Sequence, residues 1–514
     1  ERFGDRPLVS SSLFIAGGSN PGGIEAYISG GWDDSAWLLG ASQSLREYGD
    51  YEDGDGNDVR NTQFRDRSTR VQAGWRPHEV LSVFASLQHV EGEDIGIPGT
   101  GTAPLPSAAS VTYPHVRRGL YNVTAVVRPE DGVVSESRLN VYYQTIDRRV
   151  RIDEFPAAAP LGEVFPEADH DTLGAKWINH LTWGDQRLGI GVDAWRRALT
   201  SRRARYFKDG RIVEDTPLPD SSEASVGVFV EDDIPLGKRI RVNAGGRLDA
   251  VHVSNEETDR WAERDVDDWS WNAHLGATVQ ATPRVRLKGV VASGYRAPSL
   301  EERYQYLNLG GGLVKLGDPD LDAERSLFFE LGAEGRWEDV RASVSAFDNE
   351  LRDLVGESRL DETTVVNANV DEARIYGAEA ELAWRIVSSW EVTANLACAR
   401  GEDTRTDEPL PEVPPLSGGL ALARNPRDGV WGRVEAVFAD RPDEVPDDAV
   451  SAAGWATVNL RVGYRLVAGR ARQVIFVGAD NVFDKAYRNY LTTWRGNTFN
   501  EPGRTVVVGY ESSF

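Results

Sequence analysis

The chain has no methionine and a single cysteine, Cys398, in 514 residues. One thiol cannot form an intrachain disulfide, and no Cys/His metal spacing exists. Cys398 follows Trp390, Val392, Ala394 and Leu396 at period two, which makes it a small member of an apolar strand face. Neither fold nor function accounts for the missing methionine. Also lacking is any run of about 18 apolar residues, so membrane-spanning helices are excluded. The mean hydropathy of -0.42 does not count against a membrane barrel, where only alternate residues meet lipid. Positive charge is scarce: 57 Lys and Arg against 81 Asp and Glu give a net charge of -24, which argues against a nucleic-acid binder. No HExxH, G-x-S-x-G or P-loop pattern occurs, which leaves catalysis without a candidate.

What the chain does contain is alternation. From Arg239 to His252, Ile240, Val242, Ala244, Leu248 and Ala250 share one face, and Arg241, Asn243, Arg247 and Asp249 the other. From Ala456 to Leu466, Val458, Leu460, Val462 and Tyr464 oppose Thr457, Asn459, Arg461 and Arg465. Charged residues on one face of strand after strand require that face to line water and the apolar face to meet lipid. Short turns such as Arg76-Pro77-His78, Trp183-Gly184-Asp185 and Ala281-Thr282-Pro283 alternate with long connections. The long ones fall near 48–64, 92–116, 148–171, 199–223, 254–268, 295–323, 352–367, 401–413, 441–452 and 484–501. The pattern predicts an all-β fold: one transmembrane antiparallel barrel of about 22 strands over residues 1–514, with short periplasmic turns and long extracellular loops. A soluble propeller or solenoid is the competing fold, but the chain shows no repeat of fixed period.

Three motifs carry a resemblance. The C-terminus reads Asn481-Val482-Phe483-Asp484-Lys485-Ala486-Tyr487, then Pro502-Gly503-Arg504, then a strand ending in Phe514, with Val506, Val508 and Tyr510 expected toward lipid. Upstream stand Tyr295-Arg296-Ala297-Pro298-Ser299-Leu300-Glu301-Glu302 and Gly317-Asp318-Pro319-Asp320-Leu321. Together they resemble the TonB-dependent outer-membrane receptors; Ser512 departs from the apolar residue usual two places before the terminal Phe. The resemblance implies a Gram-negative outer-membrane receptor, monomeric and without catalysis, that captures a scarce nutrient at the cell surface. A globular plug and a TonB-contacting segment are expected to precede such a barrel. Here the first strand is expected by about residue 8, after Glu1, so the plug is expected to lie outside this chain, as for a mature product or a fragment.

An arginine cluster stands out against the net charge: Arg117, Arg118, Arg148, Arg149, Arg151, Arg196, Arg197, Arg202, Arg203 and Arg205. Guanidinium forks match paired anionic oxygens, so these residues suit a small anionic iron chelate, with Arg197 and Arg148 facing inward. Arg196 is expected outward, where it suits lipopolysaccharide phosphates, and pairing with the loops' many carboxylates is the competing role of the other members. Arg197, Arg148, Arg117, Tyr304, Tyr306 and His115 are the candidate ligand contacts. A tyrosine phenolate can bind haem iron, with packing as the competing role of Tyr304 and Tyr306. Residues 299–316 hold no histidine, whereas haem receptors of this family carry one there. The loop containing Asp50, Glu52, Asp53, Asp55 and Asp58 offers hard oxygens for calcium, or is a solvated charge run. Gly96 to Gly101 and Gly310 to Gly312 read as flexible loop. No cofactor is required by this reading. A ferric siderophore receptor is the leading expectation, with a cobalamin or haem receptor, or a passive channel, as alternatives.

Overall fold

The computed structural model describes residues 8–99, 109–308, 314–361, 363–370, 372–446, 449–493 and 498–514. Gly101 and Gly310 to Gly312 lie outside the described residues. Among the described residues twenty-two strands close into one antiparallel barrel, and a short further strand, Ile212–Asp215, joins its sheet. In chain order they are β1 Leu8–Ser19, β2 Gly22–Asp33, β3 Trp37–Tyr48, β4 Phe64–His78, β5 Leu81–Ile97, β6 Ser110–Val127, β7 Val134–Asp153, β8 Leu161–Trp183, β9 Gln186–Phe207, β10 Ser221–Leu236 and β11 Ile240–Asn255. The second half comprises β12 Arg264–Gln280, β13 Val285–Arg296, β14 Glu324–Arg336, β15 Val340–Arg352, β16 Ala373–Val387, β17 Trp390–Asp403, β18 Ser417–Arg424, β19 Gly429–Ala439, β20 Trp455–Ala468, β21 Ala471–Asp480 and β22 Thr505–Ser513. Each strand pairs with its sequence neighbour, and β1 pairs with β22 from Ser12↔Ser513 to Gly18↔Val507. Closure leaves no sheet edge for lipid to desolvate, which is why strands can cross a bilayer only as a barrel.

Residues opposite one another in the ladders share a face, so the register carries one surface around the ring. The outward surface holds Leu248 (58% exposed), Trp269 (74%), Leu331 (74%) and Val508 (55%), an apolar belt that only lipid can cover. Trp37, Trp75, Trp177, Trp183, Trp337 and Trp384 are exposed toward the short-turn end of this belt. Trp37 and Trp75 stack at 5.9 Å. Cys398 is exposed in the outward register, as its strand pattern predicts.

The long connections are shorter than the sequence suggests. β7, β8 and β9 run on to Asp153, from Leu161 and to Phe207, so much of 148–171 and 199–223 is ladder rather than loop. Strand β8 has 23 residues and β9 has 22, about twice what a tilted strand needs to cross a bilayer. The wall therefore continues beyond the membrane as a collar, and Arg148, Arg149, Arg151, Arg202, Arg203 and Arg205 sit on it.

Candidate functional site

The collar is partly filled from inside. Strand β12 reaches Arg264, yet its ladder with β13 starts only at His274↔Ala292, and the connection from β13 to β14 folds into the space. Its first turn is α1, Leu300–Tyr304, started by Ser299: the Ser299 hydroxyl accepts from the Glu302 N–H, and the Glu302 carboxylate accepts from the Ser299 N–H. Leu300 and Tyr304, each 1% exposed, pack against Ala168, Leu199, Leu218, Val251 and Val253. Arg303 is equally buried, and its fork donates to Asp268 and to the Pro319 carbonyl, each at 2.8 Å. Gly317 passes so close to the Arg303 backbone that a Cβ would sit 2.6 Å from it.

The family-like motif is thus a docking device. Arg296 joins Glu324 and Glu302; burial raises the pKa of the Glu302 carboxyl, but the hydrogen bonds from Arg296 and from the Ser299 N–H outweigh it and hold the carboxyl below its usual range. Ala297 and Pro298 carry the chain into α1, and Asp318, Pro319 and Leu321 turn it back out, with Leu321 buried at 3%. Tyr295 is half-buried beneath the Arg325 guanidinium, 5.8 Å from its ring centroid.

Tyr304 accordingly packs in a core and offers no face to a ligand. Tyr306 lies between two guanidinium groups, Arg260 at 3.8 Å and Arg203 at 5.7 Å from the ring centroid. Arg203 is 1% exposed and bound to Asp215, so Tyr306 ties three loops together.

Lumen-facing groups gather beside this docked turn. Across the β7–β8–β9 ladders, Arg148 pairs with Ala168, His170 with Leu199, and Thr172 with Arg197. Arg148 and Arg197 therefore share the lumen face with His170, each two residues from its level in the register and on opposite sides of it. Arg118 on β6 belongs to the same face and donates to Gln144 at 2.9 Å. Arg197 donates to Glu223 at 2.9 Å, while its Nε is buried without a hydrogen-bond partner among the described residues. Arg148 has no carboxylate partner among the described residues. Farther along, Arg46 pairs with Asp66 beside a 430 Å³ recess that Arg118 also lines.

Arg117 and His115 do not join this arc. Strand alternation turns them outward, where both approach Glu91, at 3.0 Å and 3.9 Å. His89 and His252 face outward as well, so His170 is the upper-barrel histidine in the lumen. No local signal in the sequence singles out His170; the ladder register gives it its place.

The acidic loop clasps the barrel seam. Asp50 accepts from the Thr62 and Gln63 N–H groups. Asp53, 7% exposed, accepts from the Asp55 and Asn57 N–H groups and from Asn500 Nδ2. Glu52 is bound to Asn20 through its backbone, and the Glu52, Asp55 and Asp58 side chains are exposed. Among the described residues no three His, Cys, Asp or Glu side chains converge as a metal site would require. The facing loop is braced by Asn481, which bonds the Lys485 and Pro502 carbonyls, and by Asp484, which accepts from the Arg504 N–H. Phe483 is 75% exposed and Phe514 is 54% exposed.

A model of the family described as TonB dependent receptor-like, beta-barrel, matches residues 31–482. The iron-regulated outer membrane virulence protein of Vibrio cholerae is 26% identical over 356 residues, covering 64% of this chain and 50% of that protein. The hemin receptor of Yersinia pestis is 23% identical over 509 residues, covering 92% and 69%. The chain thus spans about half the length of the first of these relatives. Among solved structures, the copper transporter OprC superposes on all of this chain and 84% of its own, with a TM-score of 0.86 at 21% identity. A mutant of the Pseudomonas aeruginosa ferric enterobactin receptor PfeA covers 100% and 81%, with a TM-score of 0.75 at 18% identity. These structural likenesses establish the fold. With the family match over most of the chain, they identify it as an outer-membrane β-barrel of the TonB-dependent receptor family.

Proposed function

We propose that this barrel captures an anionic ferric siderophore at the cell surface, as part of a receptor whose import step is driven through TonB. The observation that carries the reading is the lumen-facing arc of Arg118, Arg148 and Arg197 in an otherwise acidic chain. Arg148 lacks a carboxylate partner among the described residues, so its fork is open to paired oxygens of a chelate. Relatives named for iron regulation and for ferric enterobactin support the class. Copper(I) would call for soft sulfur donors, and this chain has no methionine and an outward-facing cysteine. Haem is the second reading, favoured by the lumen placement of His170 and by the relative named a hemin receptor. The outward, exposed Arg196 and Arg202 suit lipopolysaccharide phosphates, and no nucleic acid or second copy of the chain is invoked.

Quenching of the 15 tryptophans by ferric siderophores, haem and cobalamin, with and without calcium, tests the proposal. Saturable quenching by a ferric siderophore supports it. Saturation by haem alone transfers the site to the second reading, and a calcium-dependent response to cobalamin assigns the acidic loop to that ligand.

A further inference from the structure

The docked turn brings a charge of its own to the lumen arc. Two charged residues of α1 hold the loop in place: Glu302 accepts from Arg296 and from the Ser299 N–H, and Arg303 donates to Asp268 and to the Pro319 carbonyl. Glu301 does neither. It is half-buried, and its carboxylate has no hydrogen bond or ion pair among the described residues.

The packing of α1 decides where that carboxylate sits. Leu300 and Tyr304, which flank Glu301 in the turn, share a buried cluster with Ala168 and Leu199. Ala168 is the ladder partner of Arg148, and Leu199 that of His170. The turn therefore rests on the rungs that carry the arc, and Glu301 acts on the same groups. Burial lowers the pKa of the His170 imidazole, and Glu301 is the foremost charge opposing it, against Arg197 and Arg148. Burial raises the pKa of the Glu223 carboxyl, Arg197 pulls it back, and Glu301 pushes it further up. This level lies above the lipid, since the outward neighbours of His170 and Arg197 include Asp169, Asp171 and Arg196.

The lumen-facing charges here are Arg118, Arg148 and Arg197 on the wall, Glu223 bonded to Arg197, and Glu301 on the turn. Arg303 acts on Glu223 but is bound to Asp268, and Asp171 acts on His170 from the outward side of β8. The guanidinium groups outnumber the carboxylates by one, which leaves a surplus of a single positive charge. A ligand seated on Arg148 is attracted by that surplus and repelled by Glu301, and the repulsion grows with each negative charge the ligand carries.

Resting on the siderophore reading of the arc, we propose that Glu301 is a specificity-determining residue: it penalises ligands in step with their negative charge and matches the arc to a ferric chelate of low net charge rather than a multiply charged one.

Glu301→Gln keeps the shape of the side chain and removes its charge. Leu300 and Tyr304 still dock the turn, so the loop should stay protected from protease. Tryptophan quenching should then show the affinity for a ferric tris-catecholate, which is multiply charged, rising by roughly fivefold or more, with a smaller gain for a singly charged ferric chelate. Equal gains, or no gain for either, overturn the proposal. A second measurement needs no siderophore. In the empty barrel the His170 ring, followed by NMR, should titrate at lower pH in Glu301→Gln, because a nearby carboxylate favours the charged imidazole. An unshifted His170 overturns the placement of Glu301 and with it the proposal. A shifted His170 in a barrel that no ferric chelate quenches upholds Glu301 as part of the arc and defeats the siderophore reading alone.

Discussion

Arg296 at the end of β13 faces Glu324 at the start of β14, and its Nε donates to one Glu324 oxygen at 2.6 Å while Nη1 reaches Glu302 of the docked turn at 2.8 Å. One guanidinium thereby ties two strands to the loop that fills the collar. Charge-assisted hydrogen bonds contribute about 1.5–3 kcal/mol each, so Arg296→Ala should release the loop while the barrel stays closed. Limited proteolysis should then cut within residues 297–323 of a barrel whose gel mobility is unchanged. A loop that remains protected would show that the packing of Leu300 and Tyr304 suffices to dock it.

The register makes opposite predictions for two arginines of similar sequence context. Arg197→Glu places a carboxylate beside Glu223 on the lumen face and should weaken ferric-siderophore affinity by about tenfold or more, or about 1.4 kcal/mol. Arg117→Glu, on the outward face beside Glu91, should leave affinity unchanged. Equal losses would mean that the ligand senses the charge of the whole mouth rather than the arc.

The barrel was legible in the sequence because alternation is a local property. Arg247 and Asp249 inward with Leu248 outward follow from period two alone, and the register bears this out. The collar was not legible, since Arg203 and Arg205 look like loop residues until Asp215 and Tyr306 are seen beside them. The short turn α1 does have a local signal: Ser299 and Glu302 have the spacing of a capping box. That Tyr304 is core and Tyr306 a clamp had no local signal, because both roles depend on strands far away in the chain.

Tyr304 offers a direct separation of packing from ligand contact. Its hydroxyl is buried without a hydrogen-bond partner among the described residues, and burial raises its pKa. Tyr304→Phe should therefore preserve both loop protection and ligand affinity. Tyr304→Ala should undock the loop, since truncating a buried aromatic costs about 3–5 kcal/mol. Loss of affinity in Tyr304→Phe would return the phenol to the binding site.

Asp53 ties the loop between β3 and β4 to the loop between β21 and β22, on either side of the seam where the first strand meets the last. Burial alone would raise the pKa of its carboxyl, but the donors from Asn57, Asn500 and Asp55 outweigh burial and hold it below the usual carboxylate value. A carboxyl whose folded pKa is depressed contributes stability above its unfolded pKa of about 3.9, and the contribution is lost as pH falls through the folded value. Asp53→Ala also strands buried N–H donors, at about 1–3 kcal/mol. At pH 7 the heat-modifiable mobility shift of Asp53→Ala should therefore occur at a lower temperature than that of the unmodified barrel. Below about pH 4 the gap should narrow, because protonation weakens the same contacts in the unmodified chain. Coincident transitions at pH 7 would mean that the β1–β22 ladder closes the seam without the clasp. A gap that calcium alone restores would instead make Asp53 a metal ligand.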